Sequence, residues 1–336
     1  MKNEISATGN LIQIISQSRQ NALKKVNEEL IQMYWKVGEY LSTESTKVSF
    51  GDAYIDTVAE EVQSAFPGIK GFNRRGLYRM KKFYETYADD EFVTTMLSQI
   101  SWSNHLAIIS KAKTPEERHF YITLCIKENY SARELSRQID SGYYERYMLS
   151  KEKLLPEPIK GLKENPFLDS YVIEFLDLPS NFKELDLRKS LIRNMKDFIL
   201  EVGRDFTFID EEFRVQVGGE DYKIDLLFFH RGLQCLVAFE LKIGKFKPEY
   251  ISKMDFYLEA LDRQKKKENE NPSVGMILCA SKDDEVVEYA MSRTLSPMMV
   301  AEYQLQLPDK NILQKKLQEL INIPLLEDDI SKQDEN

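Results

Sequence analysis

Two short apolar runs in this chain carry charge where charge is hard to bury. The first is Tyr222-Lys-Ile-Asp-Leu-Leu-Phe-Phe-His230 and the second is Leu236-Val-Ala-Phe-Glu-Leu-Lys242. Runs of this length, bounded by glycine and polar residues, predict strands. Residues two apart on a strand share a face, so Glu240 and Lys242 project one way and Leu241 the other. If the two strands pair, Asp225 can reach that face as well. An Asp and a Glu beside a Lys can hold Mg²⁺ next to an ammonium, which is the minimum equipment for metal-assisted cleavage of a phosphodiester.

Alone, the pattern Asp-x14-Glu-x-Lys recurs by chance, and two plainer readings stand beside it. Asp225 can be a solvated residue at a sheet edge, and Glu240 with Lys242 can be a structural ion pair. The flanking Ile224, Leu226, Leu227 and Phe228 predict a strand buried on both faces. A carboxylate there is costly unless it is paired or metal-bound.

The rest of the chain narrows the field. At 336 residues it is long enough for two domains, and 42% hydrophobic with 30% charged residues is the balance of a folded soluble protein. No apolar run approaches a membrane span, and the start lacks the pattern of a signal peptide, so no membrane association is expected. Cys125, Cys235 and Cys279 are far apart in apolar runs and predict reduced, buried thiols in a cytoplasmic protein. His230 ends a strand and is expected to be structural. The formal net charge is −9. Residues 1–150 sum to zero, so residues 151–336 carry the excess.

Residues 1–150 predict helices, with apolar residues at helical spacing over Leu11–Leu41, Ala53–Phe66, Arg74–Tyr87 and Glu116–Lys127. The turn Pro67-Gly-Ile-Lys-Gly-Phe-Asn73 separates two of them, with Asn73 a candidate N-cap. Ser131 with Glu134 forms a candidate capping box. Ala53–Tyr87 fits a helix-turn-helix whose second helix carries Arg74, Arg75, Arg79, Lys81 and Lys82. Such residues suit phosphates or base edges of DNA. The alternative is a helical hairpin in a bundle with a solvated basic face. Trp102 is expected in core packing.

A boundary is expected near Lys151-Glu-Lys-Leu-Leu-Pro-Glu-Pro158. Beyond it the pattern predicts a helix from about Asp186 to Val202 and a strand over Glu212–Val217. A Gly218-Gly219 hairpin leads into Tyr222–His230, followed by a strand from Cys235 to Lys242. The remaining expectations are a helix over Pro248–Lys265, a strand over Ser273–Ala280, a helix over Asp284–Ser292 and a strand over Met298–Leu305. The order αβββαβαβ predicts a sheet with helices packed on it. The domains expected are a helical region 1–150, an α+β domain 151–325 and an acidic, disordered tail 326–336.

These residues resemble the PD-(D/E)XK nuclease superfamily, and within it the bacterial YhcG-like family. The resemblance covers almost the whole chain. In the helical half it rests on Gly71-Phe-Asn-Arg-Arg-Gly-Leu-Tyr-Arg-Met-Lys-Lys-Phe-Tyr84, Ser101-Trp-Ser103, Glu117-Arg-His-Phe-Tyr121 and Tyr130-Ser-Ala-Arg-Glu-Leu135. In the second half it rests on Ile224-Asp-Leu-Leu-Phe-Phe-His230, Glu240-Leu-Lys242 and Phe256-Tyr-Leu258. It implies an all-helical N-terminal domain followed by a restriction-endonuclease-like αβββαβ domain with a mixed central sheet. It also implies a Mg²⁺-dependent deoxyribonuclease, with Mn²⁺ as a substitute, in mobile-element or restriction-type defence.

Asp225 would then be the central metal ligand, Glu240 the second ligand and Lys242 the group steadying negative charge. Glu201 matches an extra acidic ligand that some branches carry. Two departures from the family pattern stand out. Ser252-Lys253-Met254 replaces Gly-Gln-Met, so Lys253 can contact a phosphate. Glu212 replaces a Gln, and either crowds the metal site or faces solvent. Tyr257 is core in the first reading and a DNA contact in the second. The expected partners are DNA and a second copy joined through the helical domain. The competing function is a catalytically inactive nucleic-acid-binding or assembly protein that keeps the nuclease fold as a scaffold.

Overall fold

A computed structural model describes residues 2–47, 51–151 and 166–321. The expected boundary at 151–158, apart from Lys151, and the expected tail at 326–336 lie outside the described residues. The chain divides into two compact units, Met1–Ile139 and Asp140–Asn336.

The first unit is helical: α1 (Lys2–Lys47), α2 (Gly51–Ala65), α3 (Arg74–Tyr87), the single turn α4 (Glu91–Thr94), α5 (Trp102–Lys111), α6 (Pro115–Glu128) and α7 (Ala132–Asp140). Asn73 caps α3, its side chain accepting the Gly76 N–H at 2.9 Å. The buried face of α3 is Leu77, Met80, Phe83 and Tyr87, at spacings of three and four. Gly38 of α1 lets the two helices touch: a Cβ there would sit 2.2 Å from the Met80 carbonyl oxygen. This packing on α1 favours the bundle over a free-standing helix-turn-helix. Trp102 packs tilted on Tyr34 and edge-on against Phe83, as core packing requires. The capping box is present: the Glu134 carboxylate accepts the Ser131 N–H, and the Glu134 N–H donates to the Ser131 hydroxyl.

The second unit contains α8 (Tyr143–Lys151), β1 (Ser170–Val172), α9 (Glu184–Arg193), α10 (Met195–Val202), β2 (Phe206–Val217), β3 (Glu220–His230), β4 (Cys235–Lys245), α11 (Glu249–Gln264), β5 (Val274–Ser281), α12 (Asp284–Met291), β6 (Met298–Gln304) and α13 (Lys310–Ile321). The sheet runs β1-β6-β5-β4-β3-β2. Strands β2, β3 and β4 are antiparallel neighbours, and β4, β5, β6 and β1 are parallel. The whole chain is therefore α+β, with a mixed sheet flanked by helices.

Alternation along β4 sorts its side chains between two cores. Val237, Phe239 and Leu241 pack with Leu187, Leu191 and Phe198 of α9 and α10. Leu236 and Ala238 pack with Ile251, Met254 and Leu258 of α11. The three cysteines are buried and free. His230 is structural, its Nδ1 accepting the Leu233 N–H at 3.0 Å and its ring packed edge-on against Phe206.

Several elements differ from expectation: α13 lies outside the expected set, and β2 begins at Phe206 rather than Glu212. The helix expected over 186–202 is two helices broken at Asn194. Its side-chain amide donates to the Ser190 carbonyl at 2.9 Å, competing with the helical ladder. Strand β1, three residues long, is additional, and it pairs in parallel with β6 at the sheet edge.

Candidate active site

The β3–β4 ladder runs from His230↔Cys235 to Leu226↔Phe239 and stops there. The next opposed pair would be Asp225 and Glu240. Instead, the Leu241 N–H donates to Oδ2 of Asp225 at 2.9 Å. A side chain thus takes a donor that the ladder leaves free, and the two strands part around it. On its other side Asp225 faces the β2–β3 ladder, which omits the Glu212–Asp225 step. Glu212 there has a left-handed φ of 46°. A non-glycine residue in that region stores strain of order 1 kcal/mol and marks a place where the surroundings dictate the backbone.

Asp225 and Glu240 are held differently. Oδ1 of Asp225 meets Nη1 of Arg188 at 3.2 Å. The same guanidinium lies 3.3 Å from Glu212 and 3.9 Å from Glu211. Glu240 is almost wholly buried. Its Oε1 receives two ammonium groups, Lys242 at 2.8 Å and Lys253. Its Oε2 is buried with no hydrogen-bond partner among the described residues. The Leu241 N–H that Asp225 accepts belongs to the residue next to Glu240, so the two carboxylates stand on adjacent strands at the same level of the sheet.

Lys242 also contacts Glu184 at 3.3 Å, the Leu241 carbonyl at 3.0 Å and the Tyr250 ring at 5.4 Å. Burial alone would depress its pKa, but Glu240 and then Glu184 outweigh burial and hold the ammonium above its ordinary range. Lys253 is raised against the same burial, chiefly by Glu240. Both therefore stay protonated at neutral pH, which suits Lys242 to stabilising charge rather than to accepting a proton.

The structure brings Asp225, Glu240, Lys242 and Lys253 together. Lys253 is engaged with Glu240 rather than offered to a phosphate. Tyr257 is core, and its hydroxyl donates to the Lys223 carbonyl at 2.7 Å. Glu212 is half-exposed and paired with Arg188 and Lys223.

The expectation for Glu201 needs correction. It is fully buried in an ion pair with Arg146 of α8 at 2.7 Å, and its Oε1 also accepts the Val172 N–H at 2.7 Å. A buried carboxylate with a guanidinium and an amide on one oxygen is a structural counter-ion. In the first unit, Arg75, Arg79 and Lys82 are exposed on one side of α3, while Arg74 pairs with Asp56 at 3.2 Å.

Sequence reasoning missed Glu184 and Arg188. They sit one helical turn apart on α9, beside the core residues Leu187 and Leu191, and both reach the site. That spacing is the signal that could have found them.

The family model described as the YhcG PDDEXK nuclease domain matches residues 164–318, and the DUF1016 N-terminal domain model matches residues 10–146. Over 346 aligned positions the chain is 27% identical to YhcG of Escherichia coli (strain K12), a protein named as a candidate nuclease, covering 91% of this chain and 92% of that one. Solved structures that match include a repair endonuclease from Pyrococcus abyssi, at 16% identity and a TM-score of 0.26 over 39% of this chain and 50% of that chain. EndoMS in apo form matches at 15% and 0.25, over 39% and 49%. This chain therefore spans about half of each of those solved chains. Two family models in order across most of the length, with the 27% identity over 91% of the chain, place this chain in the YhcG-like family of the PD-(D/E)XK nuclease superfamily.

Proposed function

We propose that the protein hydrolyses phosphodiester bonds of DNA with a divalent cation, Mg²⁺ or in its place Mn²⁺. The observation that carries this reading is the buried Oε2 of Glu240, unpartnered among the described residues, on the strand next to Asp225, whose carboxylate accepts the neighbouring Leu241 N–H. A buried anionic oxygen without a donor is costly, and a hard cation would satisfy it. Among the described residues no three His, Cys, Asp or Glu side chains form a ready metal cage. That fits Mg²⁺, which commonly takes one or two carboxylates and completes its shell with water and phosphate oxygens.

Asp225 and Glu240 would hold the cation. When bound, it supplies Lewis-acid charge at the scissile phosphate and acidifies water. Lys242, kept protonated by Glu240 and Glu184, would stabilise charge gathering on the phosphate oxygens. Arg188 fixes the Asp225 carboxylate from α9. The exposed basic stripe on α3 supports DNA as the substrate, with the helical unit contributing backbone contacts and self-association. Restriction-type or mobile-element defence as the setting rests on family membership alone.

The test is the full chain with Mg²⁺ or Mn²⁺ against linear, nicked, branched and single-stranded DNA and against RNA, with Lys242→Ala as control. Metal-dependent cutting of DNA that the control lacks is the expected result. Binding of DNA with no cleavage under either metal would favour the inactive scaffold instead, and cutting confined to RNA would move the substrate.

A further inference from the structure

Much of the first half of α1 faces solvent. Every residue from Thr8 to Val26 is exposed. A helix of that length has little stability of its own in water, and a packed face normally supplies it. The exposed side chains are not random. Ile12, Ile15, Leu23, Val26, Leu30, Met33 and Tyr40 follow one another at steps of three and four, with Arg19 and Val37 completing the series. Among the seven, exposure runs from 36% at Met33 to 69% at Leu23. From Leu23 to Tyr40 the steps alternate three and four without a break, which is the heptad seam of a coiled coil. From Leu23 to Met33 the seam lies on a different face of α1 from the buried Ile31 and Gly38; at its C-terminal end Val37 packs on the unit's own core beside Leu41, and Tyr40 meets the Tyr54 hydroxyl.

We propose that this seam is the dimer interface of the protein and that its occupant is α1 of a second copy. This gives the self-association proposed above its surface, and it does not depend on the nuclease reading. Three observations choose this occupant. A heptad seam takes a helix with the same repeat, and α1 itself carries that repeat. The seven large side chains expose roughly 100 Å² each, so two copies would cover about 1,400 Å² in total, within the range of specific stable interfaces. The flanks do not suit a membrane or DNA: Lys24, Lys25 and Lys36 are balanced by Glu28, Glu29 and Glu39, whereas a helix lying on lipid carries a basic polar face. Arg19 is the one charged seam position; its stem still covers apolar neighbours, and a lone polar seam residue fixes register.

The experiment is the mass of the full chain in solution by sedimentation equilibrium at low micromolar concentration. The wild type and Asp225→Asn should both run at twice the 39.3 kDa chain mass, whatever becomes of cleavage. Leu23→Glu with Leu30→Glu should run at one chain mass with an unchanged thermal unfolding transition of the second unit. Ile14→Lys, equally exposed but off the seam, should remain dimeric. A monomeric wild type, a dimeric double variant, or an Ile14 variant as disrupted as the double variant would each overturn the proposal.

Discussion

The Leu241 N–H reaches Oδ2 of Asp225 at 2.9 Å, across the gap where the β3–β4 ladder would otherwise have continued. Asp225 thereby acts as a wedge. Its carboxylate takes the N–H that the ladder leaves free, beside the buried side chains of Glu240 and Lys242.

Asp225→Asn keeps the shape of that wedge and removes its charge. Cleavage should fall by roughly a hundredfold or more, as for loss of a group aimed at reaction charge, while DNA binding is retained or strengthened. Single-turnover cleavage measured beside equilibrium binding checks this. A variant that cuts at the parental rate would remove Asp225 from the ligand set.

Lys242 carries a pH prediction. Its folded pKa is raised above the ordinary value of 10.5, with Glu240 and Glu184 overcoming the opposing effect of burial. The stability it contributes is therefore fully present below 10.5 and is lost only as pH rises through the higher folded value. Cleavage should show no descending limb from Lys242 below 10.5, and Lys242→Arg should leave that part of the pH–rate profile unmoved. A limb below 10.5 that shifts upward in the Arg variant would contradict the charged role.

Lys253 shares Oε1 of Glu240 with Lys242, so it competes with any cation for that carboxylate. Lys253→Gln should tighten Mn²⁺ binding, by up to about fivefold given that the lysine is half-exposed. Calorimetric titration reads the change directly. Unchanged or weaker binding would mean that Lys253 assists the site rather than opposing its cation.

On α3, changing Arg75, Arg79 and Lys82 together to Gln should flatten the log–log salt dependence of DNA affinity by up to about three units, since each phosphate contact contributes a slope of about −0.9. All three are exposed, so the fold should be unaffected. An unaltered slope would hand DNA binding to the second unit, with Lys245 and Lys247 next to test.

The elements around the site were legible where local chemistry dictates them. Charge inside the apolar runs of β3 and β4 marked both strands, Gly218-Gly219 marked their approach, and Ser131 with Glu134 marked a helix start. Strand β1 escaped because three residues carry no period, and the break at Asn194 because one side-chain bond decides it. Of the candidate site, the placing of Asp225, Glu240 and Lys242 beside one another was legible. Its counter-ions were not, because pairing is a long-range fact: Arg188 lies 37 residues from Asp225 in sequence, and Arg146 lies 55 from Glu201. An acidic residue on a helix before the sheet looks the same in sequence whether it faces a metal or a guanidinium.

The pair between Arg146 and Glu201 also bears on where the second unit can be cut. The nuclease family model begins at residue 164, downstream of α8. A polypeptide started there would lack Arg146 and would strand the Glu201 carboxylate in a dry interior, a loss of about 3–5 kcal/mol. That is a large share of the stability of an ordinary domain. Helix α8, which the N-terminal family model claims up to residue 146, is by this measure the first helix of the nuclease unit, and recombinant truncations meant to fold should begin ahead of Tyr143.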